Sequence, residues 1–208
     1  MPITLNGTNG ITTPLDVEIQ GSTSGSITLA APAVAGSNTQ TLVATTGTLA
    51  PIVSGTAVAS TSGTSIDFTG IPSWVKRITV MYSGVSTNGV SAFFIQIGTS
   101  SGIETTGYAG TAGYFGGNPG AAYKSVSFTT GFGVSPDSAA SVLINGSAVL
   151  TLLNGNTWTM MTTTGRTDNY LFTGGGAKTL AGTLDRVRIT TSNGTDAYDA
   201  GTINILYE

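Results

Sequence analysis

Apolar residues recur at alternate positions along most of this chain, and no ten-residue window shows a helical repeat. Over the first sixty residues the alternation comes in short bursts: Ile3–Leu5, Asp16–Ile19, Ser26–Leu29 and Thr39–Val43, with Asn-Gly or Ser-Gly steps between them. Beyond them the segments lengthen. Trp74–Tyr82 predicts a long strand, Asn88-Gly89 a turn, and Ser91–Ile97 and Tyr123–Phe128 further strands. Ser141–Ile144 and Ala148–Leu153 flank Asn145-Gly146, the pattern of a tight hairpin. Asn154-Gly155-Asn156 turns the chain into Thr157–Met161, and Leu184–Thr190 and Thr202–Tyr207 complete the set. The expectation is an all-β chain: an extended, short-strand N-terminal segment, then a jelly-roll-like antiparallel β-sandwich of about eight strands.

Composition sharpens the division. The first aromatic is Phe68 and the first basic residue Lys76, whereas residues 1–63 carry only Asp16 and Glu18 as charges. The shift falls between Leu49 and Ser65, so the predicted units are 1–60 and 61–208. Sixty aromatic-free residues bury little apolar surface. At ~25 cal/mol per Å² they cannot offset ~1–2 kcal/mol of entropy per fixed residue. The N-terminal segment is therefore expected to gain its core by oligomerising or by lying along another protein.

Gly, Thr and Ser fill 88 of the 208 positions, while charged residues make up 8%. Thr suits a pleated, half-buried surface, and Gly and Ser suit turns. The chain has no His and no Cys, which excludes a Ser-His-Asp triad, a Cys-His pair, disulfides and every His- or Cys-ligated metal. It has no phosphate-binding Gly-x4-Gly-Lys-Ser/Thr loop. Net charge −3, with no run of basic residues, argues against nucleic acid. No stretch reaches the ~18 apolar residues that span a bilayer. Met1–Gly7 has neither the basic nor the apolar region of a secretion signal, so synthesis in a cytoplasm is expected.

The chemistry still open is that of a carboxylate pair acting on a glycosidic bond, with Asp67, Glu104, Asp137, Asp168, Asp185, Asp196 and Asp199 as the acids. They are scattered over turns, and the expectation is no enzymatic activity and no cofactor. Asp196 and Asp199 could ligate a hard cation, but a solvated turn is the plainer reading, and no metal site is expected. Asn6, Asn145 and Asn193 stand in Asn-Gly-Ser/Thr sequons that read better as turns. The stretch 107–123 combines glycines with Tyr108, Tyr114, Phe115 and Tyr123, and reads as a loop whose rings make an external contact. Its plainer alternative is a loop folded over its own sheet. Arg186 and Arg188 share one strand face, with Asp185 on the other, and are candidates for a subunit contact. Gly174-Gly175-Gly176 reads as a mobile tip.

Three stretches carry a resemblance. They are Ile3–Pro14, Gly25–Leu49, and Phe68–Gly89 together with the ending Leu184–Thr191 and Ala200–Glu208. In these the chain resembles virion appendage proteins of tailed bacteriophages, the tail-fibre and head-fibre proteins. The resemblance implies a homotrimeric fibre or spike of the virion, anchored to other virion proteins through residues 1–60. Its projecting C-terminal β domain would contact a host-surface glycan or cover the particle surface. A head-fibre or capsid-decoration protein without a receptor role is the alternative, since typical tail fibres are much longer. A glycan-acting hydrolase and a bacterial adhesin fragment are the competing classes.

Overall fold

The computed structural model describes residues 17–20, 23–24, 26–29, 51–117, 123–140 and 142–208. It divides the chain into two units, Met1–Thr48 and Leu49–Glu208. In the first, β1 (Val17–Gln20) pairs antiparallel with β2 (Ser26–Leu29), Val17 opposite Leu29. The segments expected at 3–5 and 39–43 lie outside the described residues.

The division falls at Thr48/Leu49 rather than at the 60/61 boundary that composition predicts. The cause is local. β3 (Val53–Ser54) and β4 (Val58–Ala59) pair with the last strand of the chain, and Gly55 N donates to Ile205 O at 2.8 Å. Ser60 is buried, with its N on Gly201 O at 2.9 Å and its Oγ on Ala200 O at 2.8 Å. Residues 51–60 are low in aromatics because they form a sheet edge, not because they belong to the first unit.

The second unit is built from two antiparallel sheets. Its further strands are β5 (Ser65–Thr69), β6 (Arg77–Thr87), β7 (Phe93–Thr99), β8 (Gly102–Ile103), β9 (Tyr108–Gly116) and β10 (Lys124–Phe128). Then come β11 (Phe132–Ser135), β12 (Ile144–Asn154), β13 (Thr157–Arg166), β14 (Tyr170–Thr179), β15 (Arg186–Thr191) and β16 (Tyr198–Tyr207). A nine-stranded sheet runs β10-β9-β14-β13-β12-β6-β16-β3, with β4 also on β16. A five-stranded sheet runs β11-β7-β15-β5, with β8 on β7. The chain changes sheet along β5-β6-β7 and β14-β15-β16, which is compatible with a jelly-roll-like sandwich, while β12-β13-β14 is a meander. The all-β, antiparallel class read from the alternation holds.

The core follows from that alternation. Ile78, Val80, Leu150 and Met160 face inward from the large sheet and meet Phe93, Ile95, Val187 and Ile189 from the small one. Each such fully buried side chain contributes roughly 1.5–3 kcal/mol. β7 is buried on both sides, because β9 and β10 curl round β11. There Phe94 packs edge-on against Phe128 at 4.9 Å, beside Ala92 and Ala112.

Two glycine signals resolve differently from the sequence expectation. Asn145-Gly146 is not a hairpin turn but a bulge inside β12. The register against β6 shifts between Ile144 and Gly146, Gly146 has φ +138°, and Asn145 Oδ1 accepts Gly84 N at 2.8 Å. The turn into β13 sits at Asn154–Asn156, where it was expected. Gly174-Gly175-Gly176 is not a tip but the middle of β14. A Cβ on Gly174 would lie 2.8 Å from Gly133 O, and one on Gly176 would lie 2.8 Å from Ala109 O. Glycine is needed there because β11 and β9 approach that closely.

Candidate functional site: an uncharged groove on the outer sheet face

The stretch 107–123 is not one loop, since residues 108–116 form β9. Strand alternation then sorts its rings onto opposite faces. Tyr108 is buried, packed edge-on against Phe132 at 4.9 Å. Its hydroxyl accepts Ile97 N at 2.8 Å and donates to Glu104 O at 2.8 Å. Burial raises its ionisation above the ordinary tyrosine range, against the hydrogen bond from Ile97. Tyr108 therefore belongs to the core and is removed from the candidate external contact.

Tyr114 also faces inward. Its ring meets Tyr170 at 5.1 Å and Phe172 at 5.9 Å, both edge-on. The Arg166 guanidinium lies over Tyr170 at 4.8 Å and Phe172 at 5.2 Å, and is chelated by Asp168 at 2.6 and 2.8 Å. Asp137 adds contacts to Arg166 at 3.4 Å and to Lys124 at 3.2 Å. Nothing in the sequence spacing of 114, 137, 166 and 170 signalled this cluster.

Phe115 and Tyr123 remain, and both are on the outer face, 61% and 83% exposed. They stand beside a shallow groove of about 390 Å³ whose floor is Gly113, Gly175 and the hydroxyl-bearing Thr111, Thr173 and Ser125. The register places these together: Ser125 opposite Gly113, Gly113 opposite Thr173, and Thr111 opposite Gly175. A Cβ on Gly113 would lie 2.6 Å from Lys124 O, so backbone must form the floor at that point. The alternation within Tyr108–Phe115 was the signal that could have located this groove.

The groove lies on a face without charge. Outward positions of β9, β10, β12, β13 and β14 are Thr, Ser, Gly, Ala, Asn or apolar, including the exposed Leu153, Met161 and Leu171. Charge enters only at β6, where Arg77 pairs with Glu208 at 2.9 Å.

The other candidates are tied within the chain. Arg188 chelates Asp67 at 2.7 Å through both nitrogens, and this pairing holds the guanidinium even more firmly protonated. Arg186 binds Asp185 at 2.7 Å and Ser100 O at 3.1 Å, so Asp185 sits beside Arg186 rather than across the strand, because β15 begins only at Arg186. Neither arginine needs another subunit to satisfy it. Glu104 binds Lys178 at 2.5 Å and accepts Ala181 N at 2.9 Å. Burial pushes its carboxyl up, and these bonds outweigh that and hold it below the usual range. Asp196 is also held low, through Asn193 at 2.5 Å and Ser91 N at 3.0 Å, while Asp199 takes the Ser86 hydroxyl. Asp196 and Asp199 thus bond to separate partners, and the seven acids form no free pair. Among the described residues no cluster of three or more acids could hold a metal ion.

The chain matches no protein-family model, no curated protein and no solved structure.

Proposed function

We propose that this chain is a structural component of a phage virion, a trimeric fibre or spike. Its N-terminal unit attaches to the particle, and its β domain projects and meets the host surface. The observation that supports this reading is the uncharged outer face of the nine-stranded sheet, with Phe115, Tyr123, Leu171 and Met161 exposed on it. A face of that kind on a chain of net charge −3 is built for a partner. The resemblance of 3–14, 25–49, 68–89 and the C-terminal strands to phage appendage proteins supports the same assignment.

Sedimentation of the full-length protein tests the assembly, with an expected mass about three times the 20.9 kDa chain. Residues 49–208 alone should fold with a cooperative melt, since they hold a complete core. Labelled antibody against the chain should decorate virions at an appendage. A stable full-length monomer, or virions free of label, overturns the proposal.

A further inference from the structure

The groove beside Phe115 and Tyr123 carries more information than the face around it. Its two rings are exposed on the same face, and ring faces stack on the C–H faces of flat partners. Between them the floor is open backbone at Gly113 and Gly175, which lets a ligand ring descend onto the sheet. Thr111 and Ser125 make no hydrogen bond to the described residues, so both hydroxyls are free to donate and accept. Thr173 Oγ1 lies 3.3 Å from Thr162 O and keeps acceptor capacity. The one ionisable group at the groove is Lys124, and its ammonium is drawn to Asp137.

We infer that this groove binds an uncharged saccharide. Stacking on Phe115 and Tyr123 supplies the apolar contact, and Thr111, Ser125 and Thr173 read the sugar hydroxyls. A charged glycan would find no counter-ion there, and a protein partner would bury the free hydroxyls without partners of its own. A second copy of this chain is disfavoured by shape, because its own outer face is a flat sheet and the site is concave. This inference rests on the external-contact reading of the face, but not on the trimer or on virion attachment.

The test uses the full-length protein on immobilised neutral oligosaccharides of glucose, galactose, mannose and N-acetylglucosamine, with polygalacturonate and sialylated oligosaccharides alongside. The expected result is retention by at least one neutral class, unchanged when salt is raised. Phe115→Ala with Tyr123→Ala should weaken that retention by about tenfold or more, while Met161→Ala on the same face leaves it unchanged. Sedimentation of each variant should give the wild-type mass. Binding of anionic glycans only, no neutral class retained, or retention that survives the double substitution overturns the inference. Loss of oligomer mass in the double variant also overturns it and reassigns the groove to a contact between copies. Failure of the virion-labelling experiment, by contrast, leaves the saccharide result standing.

Discussion

The nine-stranded sheet has two faces made from the same palette of Thr, Gly and aromatic residues, and they behave oppositely. On the inner face every large ring in β9 and β14 has a partner: Tyr108 has Phe132, and Tyr114, Tyr170 and Phe172 gather around Arg166. On the outer face Phe115, Tyr123 and Leu171 have solvent. The difference shows that composition alone cannot separate core from contact surface in a chain with so few charges. Position parity in each strand decides it. If the comparison is sound, perturbing the inner face should unfold the domain, and perturbing the outer face should leave it standing.

The largest effect is expected from alkali. Tyr82, Tyr108 and Tyr198 all face inward, and burial raises all three above the ordinary value of 10.0. Below that pH both folded and unfolded chains hold these protons, and stability is intact. Above it the unfolded chain releases them while the folded chain keeps them. Stability then falls by about 1.4 kcal/mol per tyrosine per pH unit, or about 4 kcal/mol for the three. Ultraviolet titration of phenolate should show three of the seven tyrosines ionising only as circular dichroism reports unfolding. The hydroxyls of Tyr82 and Tyr198 have no hydrogen-bond partner, so Tyr82→Phe with Tyr198→Phe should raise the alkaline midpoint. Ionisation of all seven without unfolding would contradict the inner-face assignment.

Next in size is Gly174→Val. The new Cβ would stand 2.8 Å from Gly133 O and 2.9 Å from the Ala112 Cβ, wedging β11 off the large sheet. Overpacking at backbone contacts is expected to remove about 3 kcal/mol, read as a lower urea midpoint. Gly175→Ala, one position on, puts its Cβ at 3.4 Å from Met160 O on the outer face and should change little. Equal losses from the two substitutions would erase the distinction between the faces.

A middle-sized loss is expected from Arg166→Ala. The Arg166 side chain is 7% exposed, and its removal strips Asp168 of its chelating partner and Asp137 of one of its two cations. The acids are about one-third exposed, so water moderates the cost to about 2 kcal/mol, below the range for a fully buried pair. Arg166→Lys should recover only part of it, since an ammonium cannot chelate Asp168 or cover two rings. Chemical denaturation at neutral pH checks both.

The sheet class was legible because β6, β7, β13 and β16 alternate clearly, with Ile78-Val80-Tyr82 and Ile203-Ile205 as examples. Two features hid the rest. Glycine carries opposite meanings: Asn145-Gly146 mimics a turn but supports a bulge, and Gly174–Gly176 mimics a tip but permits close strand packing. Strands rich in glycine therefore vanished from the sequence pattern, and β9, β11 and β14 with them. The groove was half visible. Phe115 and Tyr123 stood among the candidate rings, but Thr111, Ser125 and Thr173 converge only through the pairing of β10, β9 and β14. Long-range register of that kind leaves no trace in local spacing.

The smallest effects belong to the outer face itself. Leu171→Ser and Met161→Ser, at positions 50% and 67% exposed, remove apolar surface already in contact with water. Their β13 and β14 hydrogen bonds are backbone bonds and survive the change, with Leu171 opposite Phe115 and Met161 opposite Gly175. Surface substitutions of this kind lie within ~0.5 kcal/mol, so thermal melts of the isolated 49–208 unit should shift by no more than a few degrees. The same pair in the full-length oligomer sharpens the result. If the melting temperature there drops and becomes dependent on protein concentration, this part of the face is covered by a neighbouring copy, and the groove beside Phe115 and Tyr123 is what the assembly leaves open. If the melts of both forms are unchanged, the whole outer face is free, and the contrast with the inner face extends across the sheet from β10 to β12.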